Sequence, residues 1–238
     1  MPTAPELSVV IPIHNEETIL ADSVAGLLDR LPPICPRFEI LLAENGSTDR
    51  TLEIARDLEA RHPEVRHLTA GEPNYGKALR RGIVEARGDI VVCDEIDLVD
   101  LDFYRAAIGI LRSRRADMVV GSKLAPGARD ERPLLRHLAS LALNSLLRVT
   151  LDFQGTDTHG LKALRRAPLL PVVERCVVER NLFASELVIR AGRAGLRVVE
   201  VPLCVREKRS PTINLLRRVP EALGNLATLV YVIRFKEK

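Results

Sequence analysis

Short apolar runs alternate with longer stretches of helical spacing through the first half of the chain. Residues 7–11 form a β-branched apolar run ended by Pro12, and Leu20, Val24, Leu27, Leu28 and Leu31 then recur on one helix face. Residues 38–43 read as a second strand. Glu44-Asn45-Gly46-Ser47 follows as a turn leading to Thr48, the expected N-cap of a helix with Leu52, Ala55 and Leu58 on one side. Val65–Thr69 is a third strand. Asn74-Tyr75-Gly76-Lys77 turns the chain into a helix striped by Leu79, Ile83 and Ala86, which Gly88 ends before a fourth run, Ile90–Cys93. Strand–helix alternation predicts an α/β fold, a mostly parallel sheet with helices on both faces. In such sheets ligands bind at the carboxyl ends of the strands, where Pro12, Glu44, Asn45 and residues 94–97 fall.

The second half is less regular. Residues 118–120 read as a strand followed by Gly121-Ser122-Lys123, and residues 124–133, rich in Gly, Pro and charge, as a mobile loop. Residues 133–149 predict a leucine-dense helix with Pro in its first turn. A polar loop at 154–160, a helix at 187–194 and a late strand at 196–203 come next. A last helix at 220–235 places Leu223, Leu226, Val230 and Ile233 on one face. Leucine-rich helices usually pack into a core, which is the expectation for both of these.

Composition narrows the class. Hydrophobic residues make up 46% of the 238 and charged residues 28%, a soluble globular balance with no uncharged run near the ~20 residues that span a bilayer. The first residues carry neither a basic head nor an apolar run, so no secretory signal is expected. Cys35, Cys93, Cys176 and Cys204 are scattered, as suits free thiols in a reducing, cytoplasmic compartment. A net charge of +3 and 3% aromatics give no reason to expect nucleic acid as a partner.

The densest chemistry follows the fourth run. Asp94, Glu95 and Asp97 stand at the end of a buried strand, and Glu95 and Asp97 share one face if the extended conformation persists. Paired carboxylates of this kind suit Mg²⁺ or Mn²⁺, which keeps waters and takes substrate phosphates as further ligands. The bland reading is a solvated acidic loop. Lys77 lies early in its helix, where a cation opposes the dipole, so a phosphate or carboxylate partner would account for it. Glu16 after Asn15 suits either a helix start or a ligand contact, and Asp157 either an Asx-turn or a site.

Taken together these pieces resemble the family two inverting glycosyltransferases, with the GT-A nucleotide-binding fold. The likeness runs from about residue 7 to residue 202. Leu7-Ser-Val-Val-Ile-Pro-Ile-His-Asn-Glu16 resembles the family's opening strand and loop, and Glu44-Asn-Gly-Ser-Thr-Asp49 its Asp-Asp-Gly-Ser-x-Asp turn. Asn74-x-Gly-Lys77 through Ala86-Arg-Gly-Asp89 resembles its Gly-Lys helix, and Glu95-Ile-Asp97 its Asp-x-Asp metal motif. The resemblance implies donor contacts from Pro12, His14, Glu16, Glu44, Asn45, Lys77 and Glu95, and a metal on Glu95 and Asp97.

The second half resembles the branch that transfers sugars to polyprenyl (dolichyl-type) phosphate. The pieces are Gly121-Ser-Lys123, Arg136-His-Leu-Ala-Ser140 with Asn144, Asp157-Thr-His-Gly160-Leu-Lys162 and Glu200-Val-Pro202. This likeness assigns the acceptor phosphate to Lys123, Arg136 and Ser140, with Asp97 beside the reacting centre. Positions four apart share a helix face, and cation plus hydroxyl makes a sensible phosphate receptor. The sequence departs from the family at Glu95, at Glu44 and Asn45, at Val99, and in a shortened basic stretch, Lys208-Arg-Ser-Pro-Thr212. The implied reaction needs a nucleotide-sugar donor, a polyprenyl-phosphate-type acceptor and Mg²⁺ or Mn²⁺. A non-catalytic nucleotide-sugar-binding protein and a carboxylate-pair glycoside hydrolase are the other readings.

One domain over residues 1–210 and a basic amphipathic helical extension over 211–238 are expected. From residue 205 to the end there are eight Lys/Arg against three Asp/Glu. That balance beside an apolar stripe suits peripheral contact with an anionic membrane face, or packing on protein with the charges solvated.

Overall fold

The structure is a computed structural model that describes residues 4–131, 133–179, 182–205 and 215–236, with no side-chain account of 215–219. The expected junction at 210/211 and the Lys208–Thr212 stretch lie outside the described residues.

Nine strands and eight α-helices are described: β1 (Leu7–Ile13), α1 (Leu20–Arg30), β2 (Phe38–Glu44), α2 (Thr51–Arg61), β3 (Val65–Thr69), α3 (Tyr75–Glu85), β4 (Ile90–Cys93), α4 (Leu101–Arg112), β5 (Met118–Ser122), β6 (Arg129–Asp130), α5 (Leu134–Leu151), β7 (Lys162–Arg165), α6 (Arg166–Arg175), α7 (Phe183–Arg193), β8 (Val198–Pro202), β9 (Cys204–Val205) and α8 (Leu215–Tyr231). A π-helical turn, Val232–Lys236, follows α8. Seven strands make one sheet in the order β3-β2-β1-β4-β7-β5-β8, parallel except for β7. This is a GT-A-like α/β fold.

Alternate residues of each central strand feed two cores. Val9, Ile11, Ile40, Leu42 and Val92 pack with α1, α2 and α4, whereas Val10, Leu41 and Val91 pack with α3, α5, α6, α7 and α8. Strands buried on both faces read as unbroken apolar runs, which is why β1, β2 and β4 stand out in the sequence.

Three local expectations change. First, β1 does not stop at Pro12 but runs to Ile13, with Pro12 opposite Ala43. Asp94 N–H donates to the Val10 carbonyl and Asn45 N–H to that of Ile13, so strand alternation aims Pro12 towards the β4 side. The β1–β4 ladder has ended there, at Val10 opposite Cys93, and no N–H is missed. Second, Thr48 does not cap α2. Asp49 Oδ1 accepts the Thr51 N–H at 2.9 Å instead. Third, the expected loop at 124–133 contains β6, which pairs in parallel with β9.

The two leucine-rich helices divide. In α8 the stripe is mostly used within the protein: Leu226, Leu229 and Ile233 are buried and Leu223 is exposed. Arg234 fixes the following turn, donating to the Thr150 carbonyl at 2.9 Å and pairing with Asp152 at 2.9 Å. By contrast, α5 buries only Asn144, Leu147 and Leu151, and leaves Leu134, Leu135 and Leu138 at 81%, 62% and 59% exposure. The expectation that this helix is core fails for that face. No helix among the described residues is long and apolar enough to cross a membrane.

Candidate active site

The carboxyl ends of β1, β2 and β4 open onto one crevice. His14 Nδ1 lies 2.9 Å from the Asn45 carbonyl, and Asn45 Oδ1 accepts the Asn74 N–H at 2.5 Å. Asn15 takes the left-handed conformation (φ 55), which asparagine tolerates better than most residues, and its Oδ1 accepts the Thr48 N–H at 2.8 Å. Glu16 N–H donates to Thr51 Oγ1 at 2.7 Å. These bonds tie the loop after β1 to the turn after β2 and to the start of α3.

Glu44 lies buried beneath that turn. Its Oε1 accepts the Ser47 N–H at 2.5 Å and its Oε2 the Thr69 hydroxyl. Burial pushes its carboxyl up, but the Ser47 and Thr69 donors outweigh this and hold it below the usual carboxylate range. Gly46 has φ 69, and a Cβ there would lie 2.8 Å from the Glu72 and Pro73 backbone, so the turn closes only on glycine. Lys77, capped at its N–H by Asn74 Oδ1 at 3.0 Å, meets Glu72 with its ammonium at 2.6 Å. A carboxylate is therefore the lysine's partner in this structure.

Beyond β4 the backbone departs from the sequence expectation. The strand ends at Cys93, and the Leu98 N–H bonds back to the Glu95 carbonyl at 3.0 Å, so residues 95–98 form a turn rather than an extended run. Glu95 and Asp97 therefore stand two positions apart on a turn, and the shared strand face expected of them is not formed. Val99 follows at φ 33, unusual for a β-branched residue. Asp94 points the other way: it is buried, with Oδ2 accepting the Tyr104 hydroxyl at 2.6 Å and Oδ1 the Glu95 N–H at 2.7 Å. Burial pushes Asp94 up to about 7, against the opposing effect of the Tyr104 bond. Glu95 is exposed and Asp97 half-buried. A divalent cation with two carboxylate ligands and open positions for water and phosphate fits this donor set.

On the far side of β4, β7 carries Lys162 opposite Cys93. Lys162 is buried, donates to the Gly160 carbonyl at 2.8 Å and is pushed down to about 8 by burial, with Asp157 and Glu95 favouring its charge. Lys123, just past β5, is also buried and pairs with Asp157 at 2.8 Å. Burial acts to raise Asp157, but the Lys123 ammonium prevails and holds it at about 2. Asp157 also accepts the His159 N–H at 2.9 Å, so the Asx-turn and the ion pair coexist. Glu200 anchors this loop from β8, accepting the Thr156 N–H and hydroxyl, each at 2.6 Å.

Arg136 and Ser140 occupy one side of α5, with Ser140 Oγ donating to the Arg136 carbonyl at 3.0 Å. Below them Asn144 donates to the Ser140 carbonyl and accepts the Thr158 hydroxyl at 3.3 Å, joining α5 to the Asp157 loop. The structure thus gathers Pro12, His14, Glu16, Glu44, Asn45 and Lys77 around one crevice, and links Lys123, Arg136 and Ser140 through the 156–160 loop. Sequence reasoning missed Lys162 as the group between these two sets. Its signal was its place at the end of the Asp157-to-Lys162 likeness, where it was given no role.

A mostly parallel sheet of this order, with its carboxyl ends opening at the β1/β4 switch point, belongs to the GT-A-like class of α/β folds. The chain matches Glycosyl transferase family 2 over residues 8–170 and belongs to that family. It is 32% identical over 219 residues to glycosyltransferase AglD of Haloferax volcanii, covering 90% of this chain but 35% of that protein. It is 30% identical over 215 residues to a dolichyl-phosphate hexose transferase of the same organism, covering 88% and 87%. The chain spans less than half the length of AglD and of the hexosyltransferase Agl6. Among solved structures, glucosyl-3-phosphoglycerate synthase of Mycobacterium tuberculosis with Mn²⁺, UDP-glucose and phosphoglyceric acid superposes with a TM-score of 0.69 at 24% identity, covering 96% and 80%.

Proposed function

We propose that this glycosyltransferase moves a sugar, with inversion, from a nucleoside-diphosphate sugar to the phosphate of a polyprenyl-phosphate-type lipid. The observation that carries the acceptor reading is on α5. The helix that bears Arg136 and Ser140 turns Leu134, Leu135, Leu138 and Leu141 outward beside them. A phosphate receptor flanked by exposed leucines suits an anionic head on an apolar chain. The dolichyl-phosphate hexose transferase, matched over most of its length, supports the same acceptor class. The protein would then meet its acceptor as a peripheral protein at the cytoplasmic membrane face, with the exposed Leu223, Tyr231 and Phe235 of the C-terminal region adding to the apolar surface.

In this reading the loop after β1 and the turn after β2 receive the nucleotide, and Lys77 exchanges Glu72 for a phosphate oxygen. Glu95 and Asp97 would hold Mg²⁺ or Mn²⁺, which would supply Lewis-acid neutralisation of the leaving diphosphate. Arg136 and Ser140 orient the acceptor phosphate, with Lys123 behind them on Asp157. A phosphate monoester is largely ionised near pH 7, its second pKa being about 6, so no side chain need act as general base.

The test is transfer of labelled sugar from UDP- and GDP-sugars to a short polyprenyl phosphate in the presence of Mn²⁺. The expected result is chelator-sensitive label in the organic phase with inverted anomeric configuration. Transfer to water-soluble phosphate monoesters but never to the lipid would overturn the acceptor. Nucleotide-sugar binding without any transfer would favour the non-catalytic reading.

A further inference from the structure

The amino ends of the strands, opposite the crevice, hold a second concentration of charge. A cleft of about 500 Å³ opens there, lined by Arg37, Arg112, Arg114 and Arg165 against Glu6 and Asp89. Arg37 immediately precedes β2, Glu6 precedes β1, Asp89 precedes β4, and Arg165 ends the reversed strand β7. The topology itself therefore collects these groups. At ~3.3 Å per residue, the seven residues of β1 put this cleft roughly 20 Å from the nucleotide crevice.

The guanidiniums outnumber their carboxylates. Glu6 is shared, with Arg112 at 2.7 Å and Arg37 at 3.7 Å. Asp117, just outside the cleft, is shared between Arg165 at 3.1 Å and Arg197 at 3.5 Å. Among the described residues Arg114 pairs with no carboxylate. Its position is unusual in another way. The Arg114 N–H bonds to the Leu111 carbonyl at 3.0 Å and the Arg115 N–H to that of Ile110 at 3.2 Å, which closes α4 in a Schellman motif with Arg114 at φ 53. Glycine is the usual residue at that left-handed site, and a side chain there costs on the order of 1 kcal/mol. An arginine at this site sets a guanidinium on the cleft where glycine would leave none.

We propose that this cleft is a second ligand site, taking a small phosphorylated anion such as a diphosphate or a phosphate monoester. Fork-shaped guanidiniums from separate chain segments match phosphate oxygens bidentately, and the shared carboxylates leave donors to spare. The amino end of α6, which carries no side-chain cap and borders the cleft at Ala167 and Pro168, adds partial positive charge. The site owes nothing to Glu95 or Asp97 and needs no metal.

Calorimetric titration with pyrophosphate in EDTA, at fixed ionic strength, tests it on the wild type, Arg114→Gly and Arg136→Ala. Arg114→Gly is the informative variant, because glycine suits φ 53 and the free protein should melt no lower than the wild type. The expected result is at least tenfold weaker pyrophosphate binding in Arg114→Gly, unchanged binding in Arg136→Ala, and unchanged Mn²⁺-dependent nucleotide-sugar affinity in Arg114→Gly. No pyrophosphate binding by the wild type would overturn the proposal. So would equal binding by Arg114→Gly, or a loss in Arg136→Ala alone, which would place the anion beside α5. Binding of an acidic peptide but not of pyrophosphate would assign the cleft to a protein partner instead.

Discussion

At the ends of β1 and β2 the polar side chains are held by uncharged donors, whereas beyond β5 and β7 they are held by buried ammonium groups. Glu44 rests on a backbone N–H and a hydroxyl, Asn45 Oδ1 on the Asn74 N–H, and Asn74 Oδ1 on the Lys77 N–H. Lys123, just past β5, and Asp157 and Lys162, at the entry to β7, instead bring three formal charges into the interior. Neutral networks of the first kind give a rigid shape at small cost. Buried charges of the second kind carry a desolvation penalty that hydrophobic residues of similar size would avoid. In the proposed function this division has a use: a shape would suffice to seat a nucleotide, and a field would attract and orient an anionic acceptor.

The strongest way to break this contrast lies between the two regions, at Asp97. Asp97→Asn keeps the side chain's size at a half-buried turn, so the thermal midpoint should stay within error. Removing one metal-binding charge should cost several kcal/mol in transfer, roughly a thousandfold, and should abolish Mn²⁺-dependent binding of nucleotide sugar. Wild-type Mn²⁺ dependence in a binding titration would exclude Asp97 as a ligand.

Next in size is the joint that places the buried charges. A Cβ on Gly160 would lie 1.5 Å from the Gly121 carbonyl oxygen, a backbone atom that cannot swing aside. Gly160→Ala should therefore lower stability by on the order of 3 kcal/mol, read from the denaturant midpoint. A variant as stable as the wild type would mean that β5 and β7 can part without cost.

Arg136→Ala sharpens the comparison functionally. It should weaken use of the lipid phosphate by 1.5–3 kcal/mol, roughly 10- to 150-fold, and leave nucleotide-sugar affinity nearly unchanged. Equal loss for both substrates, measured as separate affinities, would assign Arg136 to the donor side or to the scaffold.

The smallest effect concerns the cost of the field itself. Burial pushes Lys162 from 10.5 down to about 8, so between those values the unfolded chain binds more protons than the folded one. Stability should rise with pH across that window, and below it the penalty is fully present. Lys162→Met should thus be more stable than the wild type at pH 7 by about 1–3 kcal/mol, an advantage that shrinks towards pH 10. Melting curves at both pH values decide it. A methionine variant less stable at pH 7 would show that the bond to the Gly160 carbonyl outweighs desolvation.

The same contrast governs what the sequence reveals. The neutral half was legible because its strands are apolar on both faces, and Val65–Thr69 falls on the expected residues. Apolar runs say nothing of the last turn, however. Pro12 continues β1 because the neighbouring ladder has already stopped, a fact of register rather than composition. No expectation covered α4, although Asp100 caps it and Phe103, Ala107 and Leu111 mark its buried face. Nor did one cover β7, whose four residues begin and end on charged side chains and have no periodicity to read. Glu95 and Asp97 were expected together for the wrong geometric reason. Spacing brought them forward, but β4 ends at Cys93 and residues 95–98 turn, so the strand face assumed for them does not exist. Lys123 was expected to face a ligand directly, and its pairing with Asp157 depends on a loop thirty-odd positions later that local pattern cannot place.

The reversed strand has a consequence for how the molecule comes together. Strands β3, β2, β1 and β4 are contiguous in both sequence and sheet, so the amino-terminal half can close upon itself as it leaves the ribosome. The next strand made, β5, has no neighbour to join, because β7 must lie between it and β4. β5 therefore waits without its neighbour, through residues 123–161, until Lys162–Arg165 arrive to bridge the gap. Slow, long-range closure of this kind is when exposed strands are most prone to find another chain. Translation pauses or chaperone depletion late in the chain should then harm yield more than the same insult earlier.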